Sequence, residues 1–148
     1  MLLRHDRGML AVTVMLDIAF HGGWSVAVSA ADIAERLGLA RRGMEPLLQA
    51  LSRAGLLLSV RGPRGGYRLG RSPRDISLAE ILAAAHEEQA EAEEANGALT
   101  SAVVAPLWAE MEAVLAGRLT GISLDDLLRR AAAAGLRRPA PEPISFVI

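Results

Sequence analysis

Residues 56–69 read Leu-Leu-Leu-Ser-Val-Arg-Gly-Pro-Arg-Gly-Gly-Tyr-Arg-Leu. Two short apolar runs, Leu56 to Val60 and Tyr67 to Leu69, flank the break Arg61-Gly62-Pro63-Arg64-Gly65-Gly66. Strand-length apolar runs on either side of a Gly/Pro-rich turn predict a β-hairpin. The chain before it predicts helices. Arg7 to His21 carries apolar residues throughout and ends at Gly22-Gly23, the pattern of a buried helix. Ser29 opens a second helix that presents Ile33, Ala34 and Leu37 and stops at Gly38. Leu47, Leu48, Leu51 and Ala54 mark a third helix, which stops at Gly55. Pro46 belongs near the first turn of that helix or kinks it.

Helix, short helix, tight link at Gly38, helix, hairpin is the order of a winged helix-turn-helix. The predicted fold class is therefore mainly α: a winged helix-turn-helix domain with a small β-hairpin wing, followed by a long dimerisation helix. The corresponding organisation is a DNA-binding domain over residues 1–75, dimerisation or sensor helices over 76–138, and a Pro-rich C-terminal tail over 139–148.

One local pattern occurs three times: Val28-Ser29-Ala30-Ala31-Asp32-Ile33, Ile76-Ser77-Leu78-Ala79-Glu80-Ile81 and Ile122-Ser123-Leu124-Asp125-Asp126-Leu127. Each places Ser at an N-cap, an acid three residues later, and apolar residues where they staple the entering chain to the first turn. These predict three helix starts; the segments between them do not resemble one another. The second helix extends from Ser77 to about Glu88, and a loop follows at Asn96-Gly97. From Ser101 to Leu119 the stripe Val103, Val104, Leu107, Trp108, Met111, Val114, Leu115, Leu119 predicts a long amphipathic helix. Its apolar face has little left in its own chain to pack on. A second copy would cover it, with Val104, Leu107, Trp108, Met111 and Leu115 as the predicted dimer contacts. The stretch Pro139-Ala140-Pro141-Glu142-Pro143 cannot be helical, while Ile144 to Ile148 is apolar enough to dock.

Composition agrees. Of 148 residues, 27 are Ala and 23 Leu, against 7 Ile and 9 Val, a strong bias toward helix. With no cysteine, disulfides, thiolate zinc sites, cysteine-ligated iron–sulfur clusters and a cysteine nucleophile are all excluded. No run approaches the ~20 apolar residues of a membrane span, and the opening MLLRHDRG lacks a signal-peptide core. A soluble cytoplasmic protein with no membrane partner is the expectation.

The net charge of −1 conceals a split: residues 1–75 hold 11 Arg and 6 acids, residues 76–148 hold 5 Arg and 11 acids. From Arg41 to Arg74 there are eight Arg and a single acid, Glu45. Those cations fall on the second helix of the motif and on its wing, the two parts of this architecture that meet DNA. Arg41 and Arg42 stand where side chains reach base edges; an Arg fork pairs with guanine O6 and N7, or with a phosphate. Arg64 is at the wing tip, where Gly62, Gly65 and Gly66 allow close approach to phosphate or entry into a minor groove. Ser29, Arg61, Tyr67 and Arg68 complete the candidate DNA-binding set. A solvated basic face on a small domain is the plainer alternative.

Other chemistry is thin. His86 beside Glu87, with Glu91 one turn further, is a weak metal candidate within the acidic stretch Glu87 to Glu94; such runs are usually solvated faces. His21 suits a cation at a helix C-terminus. There is no Ser/His/Asp set, phosphate loop or dinucleotide fingerprint, and catalysis is rejected. Trp24 is expected to cover the edge of the first helix. Trp108 is expected to be core or dimer contact, with ligand stacking as a further reading.

The segments Asp32 to Gly38, Met44 to Leu48 with Leu51, Ser59 to Leu69, and Ile76-Ser77-Leu78 with Glu80 resemble the Rrf-two family of bacterial transcriptional regulators. With Trp108 and Leu124 to Leu128, the likeness runs to about residue 130. It implies a homodimer on an imperfect palindrome in double-stranded DNA, usually as a repressor, with half-sites ~34 Å apart. It further implies that Arg41 and Arg42 read bases while Arg61, Arg64 and Tyr67 act from the wing. Many members sense through a cluster on three cysteines before the long helix; Gln89 to Ala105 here has none. No cofactor is therefore expected, although Glu or His ligands in some relatives keep His86 in view. Gly43 stands where many members carry an aromatic residue. The signal is then an unknown small effector, a partner protein or nothing. The competing readings are a winged-helix protein-interaction module and a metal-responsive regulator.

Overall fold

A computed structural model describes residues 7–86 and 95–139. Helices α1 (Arg7–Gly22), α2 (Ala30–Leu37) and α3 (Arg41–Arg53) precede the hairpin β1 (Leu57–Val60) and β2 (Gly66–Leu69). A 3₁₀ turn (Pro73–Asp75) leads to α4 (Leu78–His86); later come α5 (Ala105–Thr120) and α6 (Leu124–Ala133). The mainly helical winged helix-turn-helix is the observed fold. Among the described residues no helix is long and apolar enough to cross a membrane.

α1 is the hub. It buries Ala11, Val14, Met15, Ile18 and Ala19 and touches α2, β2, α4 and α6. One apolar cluster joins these residues to Ile33 of α2, Leu48 and Leu51 of α3, Leu57 and Leu69 of the hairpin, Ile81 of α4, and Leu124 and Leu128 of α6. Truncating a fully enclosed Leu or Ile of this cluster to Ala would cost about 2–5 kcal/mol. The wing is thus rooted in the same core that holds α3.

All three Ser starts form caps. Ser29 Oγ accepts from Asp32 N at 3.1 Å, Ser77 Oγ from Glu80 N at 3.2 Å, and Ser123 Oγ from Asp126 N at 3.1 Å. At Ser77 and Ser123 the acid also reaches back to the Ser backbone N–H, at 3.0 and 2.9 Å, closing a reciprocal capping box.

Pro46 is the sixth residue of α3, next to its first turn. One local expectation is corrected. The long helix is not α-helical throughout: Thr100–Val104 is wound as a π-helix, and Ala105 N donates to Thr100 O. Pro106 explains the loosened turn, since it brings no N–H and its ring crowds the carbonyl four residues back. Trp24 lies in the turn that follows α1 and is 51% exposed. Trp108 lies outside the buried core of the single chain, 46% exposed.

Candidate nucleic-acid interface

α2 ends at Gly38, whose φ of 65° is the left-handed conformation that a glycine adopts without strain. The chain turns there, with Leu39 N donating to Ala34 O at 2.9 Å, and re-enters helix at Arg41. α3 docks through Met44, Leu47, Leu48 and Leu51, all buried. Arg41, Arg42, Glu45 and Gln49 are left facing outward. Its N-cap is Ala40, which has no side-chain acceptor for the first amides. Those N–H groups and the two arginines together suit an anion. Arg41 Nε lies 3.8 Å from Glu45 Oε1, both exposed, a weak pair that leaves Arg42 the less restrained of the two.

The wing pairs Leu57 with Leu69, Leu58 with Arg68, Ser59 with Tyr67 and Val60 with Gly66. Its tip, Arg61 to Arg64, is exposed, and Gly65 N closes the turn on Gly62 O at 2.9 Å. Val28 and Tyr67 exchange two backbone hydrogen bonds of 2.8 Å, which extends the hairpin by a third, one-residue strand just before the α2 cap. Gly66 makes this approach feasible: at φ +154° it faces the Val28 carbonyl at a separation that no Cβ would tolerate.

Between the start of α2 and the wing lies a hollow of about 860 Å³, which brings together Ser29, Arg64, Gly65 and Arg68. Arg41 and Arg42 stand apart from it at the head of α3. Arg61 is at the tip outside it, and Gly66 and Tyr67 form the strand behind. Tyr67 has its ring packed against the core and both backbone groups on Val28, so it anchors the wing. Two residues that the sequence marks only as part of a helix start belong to the arrangement: Asp32, an acid on the wall of the hollow, and Val28, whose pairing to the wing has no local signature.

Electrostatics separates structural from available cations. Arg36 grips Asp17 with Nε and Nη2 at 3.0 and 2.8 Å, and that hydrogen bonding raises its pKa further above the ordinary value. Arg71 spans Asp75 O and Glu80 Oε1 at 3.2 and 2.9 Å. Among the described residues, Arg42, Arg61, Arg64 and Arg68 meet no carboxylate.

Of the weak metal candidates, His86 closes α4, while Glu87 and Glu91 lie outside the described residues. Among the described residues no three His, Asp or Glu converge on a cation position. On the apolar stripe expected to meet a second copy, Val104, Leu107, Trp108 and Met111 are exposed in the single chain and Leu115 is half-buried. Leu119, one turn on, is buried.

A winged helix with exposed arginines at the head of α3 and along its wing defines a DNA-binding transcription regulator. The comparisons with known proteins narrow the class. The Rrf2 family model, described as an iron-dependent transcriptional regulator, matches residues 5–130, and the chain belongs to that family. It is 38% identical over 129 residues to the HTH-type transcriptional regulator IscR of Photobacterium profundum, covering 84% of this chain and 74% of that protein. IscR of Vibrio cholerae is also 38% identical, over 128 residues, covering 83% and 73%. Among solved structures, T. potens IscR is similar with a TM-score of 0.73 at 33% identity, covering 93% of this chain and 94% of that one. CymR, the global cysteine regulator of B. subtilis, gives 0.69 at 27%, covering 88% and 98%. These relatives are regulators of transcription. The family description refers to iron, but this member contains no cysteine and offers iron no thiolate.

Proposed function

We propose that the chain is a homodimeric, sequence-specific repressor of the cytoplasm that reads a palindromic operator and works without a cysteine-ligated cluster. The observation that carries this reading is the run of arginines on α3 and the wing, the two DNA-facing parts of the fold, of which Arg42, Arg61, Arg64 and Arg68 meet no carboxylate among the described residues. Arg42 and Arg41 read base edges from the head of α3; Arg61, Arg64 and Arg68 hold phosphates or the adjacent minor groove, with Ser29 and Gly65 lining the approach. Tyr67 and Gly66 contribute by fixing the wing. The apolar stripe of α5, exposed in one chain, is covered by the same stripe of a second copy across a two-fold axis, and that axis sets the operator's symmetry. The metal-responsive alternative rests on His86, Glu87 and Glu91 and has no converging ligands to support it among the described residues.

The test is selection of sheared genomic DNA by the purified protein at near-physiological salt, followed by sequencing and transcription in vitro from the recovered promoters. A single palindromic motif whose promoters are silenced supports the reading. Binding without sequence preference, or a motif without dyad symmetry, overturns it.

A further inference from the structure

A pocket of about 330 Å³ opens between α1, the end of α2 and the end of α6, and none of the arginines of α3 or the wing lines it. Leu16 and Phe20 of α1, Leu37 at the end of α2, and Ala131 and Leu136 at the end of α6 make it predominantly apolar. The volume is at the small end of the range for ligand sites, and an apolar cavity with a few polar groups at its margin is the usual form of such a site.

The polar margin selects a sign of charge. Asp17 lines the pocket with its side chain only 8% exposed, but the Arg36 fork already holds both of its oxygens. His21 adds an imidazole whose Nε2 lies 3.6 Å from Asp17 Oδ1. Arg137 is the remaining charged group, exposed and free of any carboxylate among the described residues. With Asp17 neutralised by Arg36, the surplus charge at the margin is that of Arg137. We propose that this pocket binds a small carboxylate with an apolar body, the body among Leu16, Phe20 and Leu37 and the carboxylate on Arg137.

Its position gives binding a consequence, which rests on the DNA-binding reading above. Leu37 precedes the Gly38 turn into α3, while Ala131 belongs to the helix that follows α5. An occupant therefore touches the reading unit and the element behind the dimer helix at once, so it shifts how the two are set relative to each other and changes operator affinity.

Phenylacetate is a suitable probe, with phenethylamine as its cationic counterpart. Calorimetry on the full chain should show saturable phenylacetate binding, with phenethylamine at least tenfold weaker. Arg137→Gln, at an exposed site where folding is not at stake, should weaken phenylacetate at least fivefold, and Leu16→Trp should abolish binding by filling the cavity. Equal binding of the amine, or an unchanged Arg137→Gln variant, overturns the assignment. A chain ending at Pro139 tests the competing occupant, residues 140–148: affinity within threefold of the full chain supports the ligand, and a larger gain assigns the pocket to that segment instead. None of these measurements involves DNA, so they stand or fall separately from the regulator reading. The regulatory consequence is checked on the selected operator, where phenylacetate should change affinity at least threefold for the unaltered chain and leave Arg137→Gln unaffected; no change in the unaltered chain overturns the coupling.

Discussion

Ser77 and Ser123 lie opposite each other in an isolated antiparallel bridge, with Leu78 N donating to Ile122 O at 2.9 Å and Leu124 N to Ile76 O at 2.8 Å. Each serine is also the N-cap of a helix, so the starts of α4 and α6 are joined side by side through their caps. Two positive helix ends are thereby brought together, and Glu80 and Asp126, the capping-box acids, stand where they answer that charge.

Loss of either cap should destabilise the chain. Ser77→Ala and Ser123→Ala are each expected to cost about 1 kcal/mol. Because the caps share one bridge, the double variant should depart from the sum of the singles, and urea titration of the four-member cycle measures the difference.

The same acids give the fold an acid limb. Backbone hydrogen bonding from Ser77 holds Glu80 below its ordinary value of 4.5, and backbone hydrogen bonding from Ser123 holds Asp126 below 3.8. A carboxylate depressed in the folded state contributes stability that is complete above its unfolded pKa and lost as pH falls through the folded one. Melting temperature should therefore hold from pH 7 to about 5 and fall below that. Glu80→Gln should lower stability at neutral pH and flatten the descent; an equally steep descent in that variant would contradict the assignment.

Gly66→Ala should damage the wing root. Its Cβ would collide with the Val28 carbonyl, and the backbone at φ +154° disfavours any side chain. About 1–3 kcal/mol of destabilisation is expected. Amide exchange at Val28 and Tyr67 should accelerate relative to the core of α1, which distinguishes a freed wing from general loosening.

Arg42 and Arg64 should fail differently. If Arg42 pairs with a guanine, Arg42→Ala will cost about 1–3 kcal/mol and relax base preference at one position in each half-site. Arg64→Ala should weaken all sequences alike and reduce the salt dependence by about one counterion. Binding curves on an operator library at two salt concentrations separate the two patterns.

Trp108→Glu places a charge in the exposed stripe of α5. Sedimentation should show monomers, and operator affinity should drop by well over tenfold, since one half-site then binds without the other. A variant that remains dimeric would move the interface elsewhere. A point substitution is the right tool, because deleting residues 101–130 would also remove Leu124 and Leu128 from the core.

What can be read directly from the sequence is local. A serine cap depends on residues three apart, a left-handed turn on one glycine, and a hairpin on runs separated by a break, so Ser29, Gly38 and the wing are all legible. The Arg distribution is legible too, because exposed cations need no partner to be found. Pairings across the fold are not: nothing near Ser77 announces Ser123, and nothing near Val28 announces Tyr67. For the same reason Arg36 and Arg71 cannot be told from the free arginines until Asp17 and Glu80 are seen beside them. The resemblance implies that Tyr67 acts from the wing, but that its ring packs partly against the core is visible only in the fold. The π-wound turn shows the opposite limit, where a continuous apolar stripe suggests an unbroken α-helix that Pro106 does not permit.

The Val28–Tyr67 bridge has a mechanical corollary. With the wing stitched to the residue before the α2 cap, and α3 set on the same core, the two tools that touch the duplex behave as the fixed jaws of one calliper. In the dimer proposed above, a signal would then act on the angle and spacing between two callipers rather than on the gap within one.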